Sequence, residues 1–440
     1  MAAAKPFWLD GNFAPISEER TLTDLEVTGA IPPELNGRFF RNGANPKSGV
    51  SGHWFMGNGM IHGVELQKGK ANWYRNRYVQ TPSLENENAP RVREDGTPDR
   101  SVSLANTHVI AHGGKILALE EGSFPWELSP ELDTLGCHDF AGKLDSAMTA
   151  HPRICPETGE LLFFGYSSTP PYLVYHRADA EGRLVQSEEI KVKGPTMMHD
   201  WNVTRNHVIF MDLPMIFDLE LAAKGGMPLR WSDDYGARLG VMPRDGTNDD
   251  VVWYEIDPCY VFHPMNAYED GEKIVLDVSR FPKLAFGPND KDGEPAALHR
   301  WIIDREAGKV IDQPIDDRPA DFPRVADEYV GLEHRYGYMM ATGGQVESFG
   351  QELFKYDLKT GASQTYTFGP GFAAGEPVFA RGGNGAEDEG WLLTFLYDAA
   401  RDKSDLVILD AQDFEKGPVA RVHLPTRVPM GFHGSWIADA

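Results

Sequence analysis

The sequence predicts an all-β chain built from many short antiparallel hairpins. Three observations carry that expectation: strand-length apolar runs recur from end to end, turn signals separate them, and helical patterning is nearly absent. The runs include KILALEE (115–121), LLFFGY (161–166), HVIFMDL (207–213), KIVLDVS (273–279), WLLTFLYD (391–398) and LVILDA (406–411). Each is rich in Leu, Ile, Val and aromatic residues and is bounded by Gly, Pro, Asn or Asp, which end strands. Between them lie CPETGELLFF, RADAEGRLVQ, REAGKVIDQ and YDLKTGASQTY, in which Gly supplies the positive φ of a hairpin turn. The acidic stretch GNGAEDEG (383–390) reads as one more hairpin tip.

Helical signals are few. TLTDLEVTGAIPPELNG reads as a loop with a brief helical turn at PPEL, and IFDLELAAKGG as a short helix of two turns stopped by Gly225 and Gly226. No strand–helix–strand rhythm appears, which excludes a doubly wound sheet. Hairpins without helices over 440 residues leave a pair of sandwiches, a large barrel or a propeller. A propeller blade takes roughly 40–50 residues, so several blades with loop insertions would use the whole chain. No linker or low-complexity segment divides it, and residues 1–440 read as a single domain.

The totals limit the function. A net charge of -24 repels nucleic acid, whose binding rests on neutralised phosphates, and disfavours docking on anionic lipid. The cysteines, Cys137, Cys155 and Cys259, form no C-x-x-C pair, so neither a disulfide scaffold nor a thiolate zinc site is expected. The opening MAAAKPFWLDGNFAP has no apolar h-region, and no stretch reaches 18 consecutive apolar residues. These features read as a cytoplasmic, bacterial-type protein. No G-x-G-x-x-G follows a strand and no P-loop is present, so no nucleotide cofactor is indicated.

Four of the 14 histidines stand apart by context. His151 (TAHPR), His199 (MMHDW), His263 (YVFHPM) and His433 (GFHGSW) each follow apolar residues and precede a Pro, Gly or polar residue. That places them at strand ends facing a core, where a rigid sheet holds a metal ligand well. Gaps of 48, 64 and 170 residues separate them, unlike the i,i+4 pair of a helical zinc site. Ligands from different blades would give gaps of this kind, and satisfied core histidines remain the plainer alternative.

The chain resembles the carotenoid cleavage oxygenases along nearly its whole length. GRFFRNGANP (37–46), HWFMGNGMIHGVEL (53–66) and WYRNRYVQT (73–81) are similar to the opening of that family. TAHPR, MMHDWNVT, CYVFHPMNAY, DFPRV, GEPVFA and GFHGSW follow in the family's order and approximate spacing. The resemblance implies a seven-bladed β-propeller with a cap of loops and short helices over its iron-bearing face. It implies Fe(II) held by His151, His199, His263 and His433, with no catalytic residue beyond the iron centre. It also implies three carboxylates, Glu121, Asp321 and Glu376, that hold ligand imidazoles in one tautomer, because a ligating His must donate its other N–H. Which carboxylate serves which histidine is left open. Two positions depart from the family: Asp321 stands where Glu is usual, and Asn58 where Asp is usual. The shorter Asp321 requires a closer backbone or a bridging water; Asn58 should matter to structure rather than catalysis.

The implied reaction is oxidative cleavage of a conjugated C=C bond by O₂ into two carbonyl products. Four neutral imidazoles leave two open positions on an octahedral ion, enough for O₂ beside an alkene, whereas a facial triad leaves three. The substrate is expected to be apolar, with Phe432 a candidate wall residue or simply core. PPYLVY (170–175) and LPMIF (213–217) could form an apolar entrance patch for peripheral membrane contact, core strands being the plainer reading. Carotenoids or apocarotenoids are favoured over stilbenoid and other phenolic alkenes, because phenol-cleaving relatives carry Lys immediately before the first carboxylate. Glu120 stands there and, when ionised, cannot donate that hydrogen bond. It could equally be a bystander, aimed away from Glu121 by strand alternation. Other readings are a retinoid-type isomerase, a propeller hydrolase with a divalent metal on oxygen ligands, and a binding platform without a buried histidine cluster. The sequence leaves the oligomeric state open.

Overall fold

The computed structural model describes residues 5–223, 227–285, 293–343, 349–383 and 385–439. Among them, seven antiparallel sheets of four to six strands account for nearly all regular structure, beside one two-stranded ribbon pairing Met215–Phe217 with Leu229–Trp231. The fold is a seven-bladed β-propeller, as the family resemblance implied. Helix is confined to Pro82–Glu85, Leu219–Ala223 and single 3-10 turns among the described residues.

The chain divides into two compact units. The first combines residues 1–141, 346–355 and 363–440, the second residues 142–345 and 356–362. In the first unit the two ends of the chain share sheets. Arg20–Leu22 pairs with Lys70–Tyr78, Gly434–Ala438 pairs with Gly37–Arg41, and Glu26–Gly29 pairs with Pro418–His423. Its core packs Phe39, Val64, Leu393, Ile408 and Val422.

In the second unit consecutive strands pair in order, as in Arg153–Ile154, Leu161–Tyr166, Leu173–Ala178 and Leu184–Glu189. Middle strands are covered on both faces, so Leu161, Leu162, Phe163 and Phe164 are fully buried and read as one unbroken apolar run. The fourth strand, LVQSEE, alternates half-buried and exposed, as an outer strand with one wet face should. Ile209, Leu239, Ile274, Leu276 and Trp301 fill this unit's core. Truncating one such Leu to Ala costs ~2–5 kcal/mol.

Most of the expected strands match, and the deviations have local causes. Pro32–Leu35 closes a hydrogen-bonded turn without helix. The short helix spans Leu219–Ala223, less than the two turns expected, because the residues before it are already paired in the ribbon. Its expected stop at Gly225 and Gly226 lies outside the described residues. KILALEE is strand only through Leu119, so Glu120 and Glu121 occupy a turn and strand alternation does not orient them. GNGAEDEG does join two paired strands, Val378–Arg381 and Gly390–Asp398. PPYLVY and LPMIF bury Leu173, Tyr175, Leu213 and Met215 in the core, while Pro170 and Pro171 are exposed.

Candidate metal centre

Each of the four singled-out histidines sits at the opening strand of a sheet or immediately before an edge strand. His151 precedes Arg153–Ile154 and His199 precedes Asn202–Val203. His263 lies within Tyr260–Asp270, where the register slips around Pro264, and His433 precedes Gly434–Ala438. One histidine per sheet explains the long gaps between them. All four are buried.

In the second unit the imidazoles approach through the same ring atom. His151 Nε2 lies 3.1 Å from His199 Nε2, which lies 3.3 Å from His263 Nε2. The opposite nitrogens of two of them face carboxylates. His263 Nδ1 is 3.0 Å from Asp321 Oδ1, and His151 Nδ1 is 3.4 Å from Asp200 Oδ2. Two hydrogen bonds fix the approach of His151: its amide donates to Thr149 Oγ1, and its carbonyl accepts from Trp201 Nε1. Phe262 packs edge-on against His199, and Phe322 lies 4.9 Å from the ring of His263.

In the first unit His433 is held in the same manner. Its Nδ1 is 2.9 Å from Glu376 Oε1, while Glu376 Oε2 accepts the amide of Gly434 at 2.9 Å. The His433 amide donates to Thr107, and its carbonyl accepts from Asn42. Phe432 packs tilted against Trp54 and edge-on against Phe55 in an aromatic cluster that also holds Phe7 and Phe13.

Among the described residues, His151, His199, His263 and His433 form the group that could hold a metal ion, one nitrogen of each lying within 4.8 Å of the others. Their chemistry fits a cation. Carboxylates that accept from Nδ1–H leave Nε2 as a bare lone pair. His199 Nε2 can aim one hydrogen at only one of its two neighbours, whereas a cation satisfies all three nitrogens. Metal–imidazole bonds of ~2.1 Å set adjacent ligand nitrogens about 3.0 Å apart, close to the separations observed.

Asp321 resolves one expectation in favour of a close backbone, since its carboxylate meets His263 directly. The approach comes from an irregularity: register slips between Asp321 and Arg324, and Phe322 takes a φ of 55°. Such a bulge re-aims a strand. Asn58 bridges two segments of main chain. Its amide donates to Ser83 O and accepts from the Lys47 amide, a pairing that an ionised Asp could not complete. Glu121 lies half-buried in the turn after Lys115–Leu119. Glu120 accepts from Ser123 Oγ at 2.7 Å and lies 3.4 Å from Arg91, so its carboxylate is engaged locally.

Asp200 was not singled out in the sequence. It is fully buried, paired to Arg153 at 2.7 Å, and accepts the Trp201 amide. Burial pushes its carboxyl up, against the pull of Arg153. The available signal was a carboxylate flanked by His199 and Trp201 in the segment MMHDWNV.

Comparison with known proteins accords with this geometry. The family model for retinal pigment epithelial membrane protein matches residues 13–438. A carotenoid cleavage oxygenase of Mycobacterium tuberculosis is 39% identical, covering 98% of this chain and 97% of the relative. Among solved structures, the lignostilbene dioxygenase of Pseudomonas brassicacearum superposes with a TM-score of 0.89 at 30% identity over 98% of both chains. A variant of the Synechocystis apocarotenoid oxygenase superposes at 0.88 and 29% identity, again over 98% of both chains.

Proposed function

This chain belongs to the carotenoid cleavage oxygenase family, and from that premise we propose that it is an Fe(II)-dependent dioxygenase splitting a conjugated C=C bond of an apolar alkene. The observation that carries the reading is the histidine group: His151, His263 and His433 are backed by carboxylates, and the Nε2 atoms of His151, His199 and His263 turn toward one another. His151, His199, His263 and His433 would hold the iron. The chemistry such a centre supplies when loaded is activation of O₂ beside the double bond, whose two carbons each end bonded to one oxygen as carbonyls. Four neutral ligands preserve the full charge of the ion and leave two positions free.

The protein's own groups orient and exclude. Asp321 and Glu376 fix His263 and His433, and we assign Glu121 the same task toward a ligand imidazole. Phe262 and Phe322 pack on ligand rings and keep water from them, while Phe432, with Trp54 and Phe55, would supply an apolar wall for a flat polyene or arene.

Carotenoid or apocarotenoid substrates are favoured. Glu120 stands where phenol-cleaving relatives carry Lys, and its carboxylate is already committed to Ser123 and Arg91. Phenolic alkenes of the stilbene type remain the second reading, supported by the likeness to a lignostilbene dioxygenase. The deciding experiment is O₂ uptake by Fe(II)-loaded protein with an apocarotenal and with a hydroxystilbene. Uptake with the apocarotenal alone, one O₂ per two aldehyde or ketone groups formed, is expected. Uptake with the stilbene alone would move the assignment to phenolic alkenes, and uptake with neither would overturn both.

A further inference from the structure

We propose that Asp200 is a positioning residue for His151, the carboxylate that fixes this imidazole with Nε2 bare and turned toward the metal. The inference rests on the metal reading above and deepens it. His151 Nδ1 lies 3.4 Å from Asp200 Oδ2, and both side chains are buried. The remaining contacts of Asp200 explain why it stays in place. Oδ1 accepts from Arg153 Nη2 at 2.7 Å and from the Trp201 amide, leaving Oδ2 directed at the imidazole.

The arrangement is mutually braced. Arg153 Nη2 also donates to the Trp201 carbonyl, and Trp201 Nε1 donates to the carbonyl of His151 itself. Residues 151–153 and 200–201 are thus joined by both main chain and side chain, so the ring and its carboxylate cannot drift independently. The parallel with the other ligands is close. His263 has Asp321 and His433 has Glu376 on Nδ1, each with the carboxylate drawn from a different segment. At His151, Arg153 adds a fixed guanidinium that balances the Asp200 charge inside the protein.

The test uses full-length apoprotein and Co(II), followed through its visible d–d absorption and its dissociation constant, so that no turnover is needed. Asp200→Asn is expected to weaken Co(II) by ~10–100-fold and to shift the bands. Arg153→Met, which keeps the carboxylate on His151 but removes its buried countercharge, is expected to lower the affinity by less than Asp200→Asn does. Equal losses in the two variants would reduce Asp200 to an ion-pair partner of Arg153, and an unchanged affinity and spectrum in Asp200→Asn would remove it altogether. Should Asp200→Asn fail to fold, nitrogen-15 NMR of labelled histidine in the parent apoprotein decides. An Nδ1–H tautomer at His151 is expected, and an Nε2–H tautomer overturns the proposal. Full Co(II) binding in His151→Ala would show instead that the metal reading itself had failed.

Discussion

Two buried histidine environments in the second unit look alike by burial and differ in kind. His176 is fully buried in the strand Leu173–Ala178, sealed between two hydroxyls. Its Nε2 lies 2.7 Å from Ser146 Oγ and its Nδ1 2.8 Å from Ser187 Oγ, with Phe163 stacked on the ring. Ser146 Oγ spends its hydrogen on the Ala147 carbonyl, so His176 donates through Nε2 and accepts through Nδ1. Every ring nitrogen is satisfied by protein. His151, His199 and His263 are slightly less buried, yet their Nε2 atoms face one another, and carboxylates lie behind His151 and His263. Burial therefore does not separate the two environments. The direction of the second nitrogen does.

The largest expected effect breaks the comparison from the metal side. His199→Ala should lower metal affinity by more than ~100-fold, given that loss of an outer partner alone costs ~10–100-fold; His176→Gln should leave affinity unchanged, both read by metal titration. Next in size is Asp321→Asn, which keeps the shape but offers an amide to His263. A ~10-fold or greater loss of affinity is expected, with melting temperature moving much less.

The third prediction concerns stability. Burial holds the His176 imidazole down at about 4 from an ordinary 6.5. Above pH 6.5 the folded and unfolded chains are both neutral there. Between about 6.5 and about 4 the unfolded chain binds a proton that the folded one refuses, so stability falls with pH by up to about 3 kcal/mol. His176→Gln should flatten that part of the acid-unfolding profile of the apoprotein. A second pH effect, in a lower window, is expected at Glu269. Burial raises this carboxyl, but hydrogen bonds from His207, Thr204 and Asn206 outweigh it and hold it at about 2. Stability from this group is present above about 4.5 and is lost as pH falls through 2, so Glu269→Gln should soften denaturation only in that lower window.

How far the sequence could be read follows from the same physics. LLFFGY and WLLTFLYD were legible because middle strands are covered on both faces and become unbroken apolar runs. The ends of such runs were not, because Glu120 and Glu121 continue the pattern of KILAL while the chain has already turned. The four clustered histidines were legible through their neighbours and the family likeness. Their pairings were not: His263 meets Asp321 58 residues on, and His433 meets Glu376 57 residues back, separations that only sheet packing creates. Asp200 escaped for a related reason. It follows His199 in the chain but serves His151, which belongs to the preceding sheet.

Metal content of protein purified without oxygen, for the parent and for His151→Ala, His199→Ala, His263→Ala and His433→Ala, tests the central claim most directly. The account predicts one iron per chain in the parent and loss of it in each variant, with the fold retained by circular dichroism. Iron that persists in all four variants, or a parent with no affinity for Fe(II), would contradict it.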